Sequence, residues 1–163
     1  MELDFTLKSD VSVANALRRT MISKIGTIAI NTVSIIENDS ILNDEIIAHR
    51  IGQIPIKRTN DETRFRISLE TECPIDAEGP MYVYSENIVL PPEIKMTNDK
   101  IIILQLRPGE KIKLFGFTEY GTGTEHAKWS PCCGTSYEKI NDYEFKFHIE
   151  SVGQLTPLEI LKE

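Results

Sequence analysis

Cys132 and Cys133 are the residues with the most reactive potential; they adjoin each other, with His126 shortly before them. A thiol beside an imidazole can form a nucleophile–base pair, and Cys/His clusters can hold zinc. Both chemistries need more than is present. Neighbouring cysteines cannot easily fill two tetrahedral positions, and the remaining candidates, Cys73, His49 and His148, supply no Cys-x2-Cys pair. Nothing marks an oxyanion hole or an orienting third residue for a Cys132–His126 pair. Gly121-Thr122-Gly123 lacks the third glycine and the following helix of a dinucleotide fingerprint. The expectation is no catalytic residue, no cofactor and no metal.

What remains is recognition chemistry. Arg18 and Arg19 point about 100° apart on a helix, so they cannot serve one partner group. Guanidinium groups are suited to forked contacts with carboxylates or carbonyls of another surface. They could equally be solvated residues of a core helix. Trp129, the only tryptophan, reads as a lid on the core or as an interface anchor. His49, within Ala48-His49-Arg50, reads on its own as a hydrogen-bonded structural residue.

These residues need elements to position them. The spacing predicts a helix over Val13–Ile22, capped by Asp10 or Ser12 and stopped by Gly26. Val13, Leu17 and Met21 form one apolar stripe, with Ala14, Ile22 and Ile25 on a neighbouring face. That is more apolar surface than one small domain needs to cover. A second helix runs from Asn43 or Asp44 to about Ile51, before Gly52 and Pro55. Strands are predicted over 1–8, Ile28–Glu37, Arg64–Glu70, Met81–Tyr84, Lys100–Leu106, Lys111–Phe117, Ser136–Ile140 and Glu144–Glu150. Glu119–Pro131 reads as a flexible loop. Thr156-Pro157-Leu158-Glu159 is a capping box with proline at the first helical position, so a last helix begins there with Leu158 and Leu161 or Ile160 toward a partner. It is too short to stand without packing.

The fold class is α+β. From Lys57 to Thr63 the chain turns polar, and only strand patterns follow to 118. That suggests an all-β insert, 57–118, in a parent domain formed by 1–56 and 119–163. The 163 residues and 40% apolar content support a real core. A formal charge of −7 argues against phosphate-backbone binding as the main task. Three cysteines make no disulfide framework. No apolar run approaches the ~20 residues of a membrane span, and Met1-Glu2-Leu3-Asp4 lacks the start of a signal peptide. An intracellular protein with no membrane association is expected.

Four stretches carry a resemblance. Asn15-Ala16-Leu17-Arg18-Arg19, Asp44-Glu45-Ile46-Ile47-Ala48-His49-Arg50-Ile51-Gly52-Gln53-Ile54-Pro55, Glu125-His126-Ala127-Lys128-Trp129-Ser130-Pro131 and Ile149-Glu150-Ser151-Val152-Gly153 resemble, in order, the motifs of one family. It is the alpha-like assembly subunit of DNA-directed RNA polymerase, with an archaeal D-type member, the third-largest subunit of eukaryotic RNA polymerase II, and the bacterial alpha N-terminal domain. The second and third motifs are similar to the archaeal–eukaryotic forms. The compact, isoleucine-rich chain is also compatible with a large-DNA-virus version.

The resemblance implies a discontinuous dimerisation domain, helices on a small mixed or antiparallel sheet, interrupted by the β insert. It implies a non-catalytic scaffold that pairs with a smaller alpha-like subunit, similar to the archaeal L type, and then docks the second-largest and largest subunits. DNA would be met only through the complex. Carried over, Leu17, Met21 and Ile22 face the dimer partner or core, alongside Asn15. Arg18 and Arg19 support that helix and contact the second-largest subunit. His49, Arg50, His126, Lys128 and Trp129 shape the same docking surface, and Leu158 and Leu161 meet a partner. Two departures stand out. Relatives often carry cysteine-rich metal or iron–sulfur sites in the insert, where only Cys73 lies here, and the long C-terminal helix is expected to be cut short. The implied compartment is the nucleus for a eukaryotic protein, and the cytoplasm or virion for an archaeal or viral one. Two other classes compete on the residues alone, a protein-binding domain outside polymerase and a free-standing cysteine enzyme.

Overall fold

The computed structural model describes residues 1–59 and 64–163. Of the polar stretch Lys57–Thr63, residues 60–63 lie outside the described residues. In chain order the elements are β1 (Glu2–Lys8), α1 (Val11–Ser23), β2 (Gly26–Asn38), α2 (Asp44–Gly52), β3 (Arg66–Glu72), β4 (Met81–Tyr84), β5 (Ile102–Leu106), β6 (Lys111–Thr122), β7 (Cys132–Asn141), β8 (Glu144–Ser151) and α3 (Pro157–Lys162), with single 3-10 turns at Ser85–Asn87 and Ala127–Trp129. The mixed α+β class expected from the sequence is what the chain adopts. It forms two compact units, Met1–Thr27 with Tyr120–Glu163, and Ile28–Glu119.

The first unit is built on an antiparallel sheet of order β1-β8-β7. Strand alternation puts Phe145, Phe147 and Ile149 of β8 on the buried face, with Phe5, Leu7 and Tyr137 from its neighbours. The Phe5 and Phe147 rings stack at 5.0 Å, and Tyr137 meets Phe145 edge-on at 5.5 Å. Ala14, Leu17 and Met21 of α1, then Ile25, cover this face together with Leu155, Ile160 and Leu161. On the opposite, wet face His148 Nδ1 lies 2.8 Å from Asp4 Oδ1.

The second unit holds the sheet β2-β6-β3 and the hairpin-like pair β4-β5. β3 and β6 run antiparallel, and so do β4 and β5. Its core takes Ile28 and Ile30 from β2, Ile47 and Ile51 from α2, Ile67 and Leu69 from β3, and Ile112 and Leu114 from β6. Residues 28–56, which the polar break assigned to the parent domain, pack here. Burial of Ile28, Ile30, Ile47, Ile51, Ile54 and Ile56 against the strands that follow is the physical reason.

Several local expectations change. The covered stripe of α1 is Ala14–Leu17–Met21, not Val13–Leu17–Met21; Val13 is 48% exposed. Asp10 occupies the N-cap position, but its side chain makes no cap hydrogen bond. Gly26 does not stop α1 in a left-handed conformation. Among the described residues only Gly109 and Gly153 have positive φ. Gly26 begins β2, where a Cβ would overlap the Tyr120 ring. β6 extends to Thr122 and β7 begins at Cys132, so the loop between them is shorter than the composition suggested. The capping box at Thr156 forms as expected: Glu159 N–H donates to Thr156 Oγ1 and Thr156 N–H donates to Glu159 Oε2.

Candidate functional site

α1 is the central element of the first unit. Its inner side is closed by the unit's own sheet. Met21 is 1% exposed and belongs to the unit's core, so of the two positions the resemblance implied for it, dimer partner or core, it takes the core and is not an interface residue. Leu17 and Ile22 are half-buried, Leu17 against the core cluster. What α1 turns outward is Val11, 56% exposed, with Val13, Asn15, Ala16 and Arg19. Arg18 Nη2 donates to Asn15 Oδ1 at 3.0 Å, so this arginine is tied along its own helix. Arg19 is exposed, and among the described residues its guanidinium has no ion-pair partner.

The end of α1 meets the segment that follows β6. Ser23 O accepts from Thr124 N–H at 3.0 Å and from Thr124 Oγ1 at 2.8 Å. The Cys132 thiol points at Met21 O, 3.7 Å away. Thr27 Oγ1 donates to Trp129 O at 2.7 Å. The two glycines of this segment serve close approach rather than flexibility. A Cβ on Gly121 would lie 2.6 Å from the Trp129 indole, and one on Gly123 would overlap the Ile22 carbonyl oxygen. Neither contact leaves a pattern in the sequence.

Trp129 is 6% exposed, which makes it a lid on the unit's interior rather than a protruding anchor. Lys128 Nζ lies 4.4 Å from the centre of its ring, and His126 meets the ring edge-on at 6.5 Å. His126 caps the 3-10 turn: its Nδ1 accepts from Lys128 N–H at 3.1 Å. In the neutral ring the proton therefore sits on Nε2, and the exposed imidazole offers a donor. Of the sequence-predicted residues, α1 and the 126–129 turn are brought together in this unit.

α3 packs on β1 and β8 of the same sheet. Ile160 is buried and Leu161 half-buried in the core cluster, while Leu158 stays 57% exposed. His49 and Arg50 belong to the other unit, both exposed on α2; Arg50 Nη2 donates to Ile102 O at 2.7 Å, which ties it to β5.

The thiols are poorly suited to attack. Burial pushes the Cys132 thiol above its ordinary value; partial burial, then the Glu150 carboxylate, does the same to Cys133. A nucleophilic cysteine needs the opposite shift. Cys132 donates toward a backbone carbonyl, and His126 Nδ1 is occupied by the Lys128 amide. Among the described residues no group of three His, Cys, Asp or Glu side chains is placed to hold a metal ion, and no helix is long and apolar enough to cross a membrane. The arrangement presents donors and apolar side chains on helices over a sheet, which is chemistry for recognising a protein surface.

Comparison with known proteins adds to this geometry. Residues 28–131 match the RNA polymerase Rpb3/RpoA insert domain. The chain is 40% identical over 170 aligned residues to DNA-directed RNA polymerase subunit Rpo3 of Methanocaldococcus jannaschii, covering 99% of this chain and 82% of that one. It is 40% identical to subunit Rpo3 of Thermococcus kodakarensis, over 86% of this chain and 54% of that one. It is 35% identical to DNA-directed RNA polymerase II subunit rpb3 of Dictyostelium discoideum, over 80% of this chain and 51% of that one. The chain thus spans most of the first of these relatives and about half the length of the other two.

Proposed function

We propose that this chain, which belongs to the Rpb3/RpoA family of RNA polymerase subunits, is a non-catalytic assembly subunit of a multisubunit DNA-directed RNA polymerase. In this reading the unit formed by Met1–Thr27 and Tyr120–Glu163 is the dimerisation domain. It pairs with a smaller alpha-like subunit through the outer side of α1 and through Leu158 of α3. Arg18, Arg19, His126 and Lys128 receive the second-largest subunit; His49 and Arg50, on the other unit, also face a partner subunit. The largest subunit joins last. DNA is met only through the assembled enzyme, as suits a chain of charge −7. The compartment follows from the polymerase, so the protein is intracellular.

The observation that carries the reading is the outward face of α1. α1, already packed by Ala14 and Met21, still exposes Val11 and Val13 on the two flanks of that buried stripe, and Arg19 on the side away from the sheet. Apolar side chains edged by arginine are the composition of a protein interface. The boundaries also support a parent domain with an insert. The second compact unit starts at Ile28, the residue where the insert-domain match begins, rather than at the polar break near 57.

Affinity purification of a tagged copy from its native cell, followed by mass spectrometry, tests the proposal. The smaller alpha-like and second-largest polymerase subunits should co-purify in near-equal amounts. Recovery of the chain with no polymerase subunit would overturn it.

A further inference from the structure

β6 alternates between two faces. Ile112 and Leu114 enter the core of the Ile28–Glu119 unit, while Phe115 and Phe117 lie half-buried on the opposite face, outside that core. Their rings meet edge-on at 6.2 Å. The Arg64 guanidinium lies 4.5 Å from the centre of the Phe117 ring, and the Arg66 guanidinium 5.2 Å from that of Phe115. Val89 extends the apolar row: it exchanges both backbone hydrogen bonds with Ser68, at 2.7 and 3.2 Å, and Ser68 stands opposite Phe115. Val89 is 66% exposed.

The charges on this face are unevenly matched. Arg64 Nη2 lies 3.2 Å from Glu119, Lys113 Nζ 2.8 Å from Glu70 and Lys111 Nζ 2.6 Å from Glu37. Arg66 is exposed and has no carboxylate partner among the described residues. Stacking over a ring steadies a guanidinium without using its N–H groups, so Arg66 keeps its fork for another molecule. A nucleic acid is a poor match. The chain carries a formal charge of −7, and guanidinium groups already lie over the rings on which bases would stack. A single carboxylate suits the fork, and an apolar side chain next to it would cover Phe115 and Val89.

We propose that Arg66, Phe115 and Val89 form a docking site for a short acidic peptide segment of another protein. A carboxylate of the segment takes the Arg66 fork, and a neighbouring apolar side chain lies on Phe115 and Val89. Arg64 is a second anchor that Glu119 already engages. The site goes beyond the assembly reading and uses none of its residues.

Fluorescence anisotropy on the full chain tests it. The probes are a labelled peptide Gly-Glu-Glu-Leu-Glu-Gly, the same peptide with glutamine for each glutamate, and a single-stranded thymidine oligonucleotide. The glutamate peptide should bind more tightly than the other two. Arg66→Gln should weaken its binding about tenfold, the order expected for a lost charge-assisted contact. Arg66→Lys, which keeps the charge but not the fork, should recover only part of that loss. Glu119→Gln, which releases Arg64 and removes a like charge, should tighten binding, an effect that a merely structural role for these side chains would not produce. No binding of the glutamate peptide, equal affinity for the glutamine peptide, or affinity unmoved by both Arg66→Gln and Glu119→Gln would overturn the proposal. Tighter binding of the oligonucleotide would overturn it too, since the face would then be a nucleic-acid surface.

Discussion

Met21→Ala separates what α1 does for its own unit from what it offers outward. Met21 is 1% exposed and lies in one cluster with Ala14, Ile25, Phe145, Phe147 and Ile149. Truncation removes buried methylene and thioether contacts and leaves a cavity that these aromatic neighbours can fill only in part. Buried Met→Ala changes cost about 2–5 kcal/mol, against a total stability of about 5–15 kcal/mol for a domain. At about 3 kcal/mol the melting midpoint should fall by roughly 6–12 °C. Met21→Leu, which nearly conserves volume, should cost less than about 1.5 kcal/mol. Val13→Ala, on the open side of the same helix, should change stability by no more than about 0.5 kcal/mol. Trp129 is the chain's only tryptophan and belongs to the same unit, so its fluorescence reports this unit's unfolding. Equal midpoints for Met21→Ala and Val13→Ala would refute the assignment of the inner face of α1 to the chain's own core.

Arg19→Ala should leave the melting midpoint unchanged, since the side chain is exposed, while reducing capture of the second-largest subunit in a pull-down; undiminished capture would count against the docking role. Thr156→Ala breaks the capping box at the start of α3 and should cost about 1 kcal/mol, read as a shifted denaturant midpoint. Gly116→Ala would put a Cβ 2.6 Å from Thr32 O, a backbone atom that cannot move without parting β2 from β6, and should destabilise the Ile28–Glu119 unit by about 1–3 kcal/mol in thermal unfolding. In the native protein, iodoacetamide should modify exposed Cys133 and spare buried Cys73 and Cys132. The Cys133 thiol is held above its ordinary value, so its thiolate fraction near neutrality is below that of free cysteine, and its rate should still be climbing as pH passes the usual thiol range. A rate already flat at neutral pH would contradict that shift.

Local signals were legible where they depended on neighbours in the chain. The alternation of Phe145, Phe147 and Ile149 against Lys146 and His148 specified β8 and its buried face. The Thr156-Pro157-Leu158-Glu159 pattern specified the start of α3. The faces of α1 were harder, because Val13 and Ala14 are both apolar and adjacent; only the sheet beneath decides which one is covered. Composition reads the segment 119–131 as flexible, but glycine has two uses. Gly121 and Gly123 admit an indole ring and a helix carbonyl, contacts that lie far away in sequence. Cys132 and Cys133 looked like chemistry, yet they open β7, with one thiol turned in and the other out. The boundary of the second unit at Ile28 was also out of reach, since long-range burial sets it and composition does not. For the candidate site, Arg19, His126, Lys128 and Leu158 lie at exposed or half-buried positions, whereas Met21 and Trp129 are taken up by the interior. Thr124, which fastens α1, had no signal beyond being a threonine in a turn.

The most direct measurement is light scattering on the purified chain with and without the smaller alpha-like subunit. Alone, with Val11, Val13 and Leu158 uncovered, it should self-associate or aggregate; mixed, the two should elute as an equimolar heterodimer. A monodisperse monomer whose mass does not change when that subunit is added would contradict the claim that another polypeptide completes this protein.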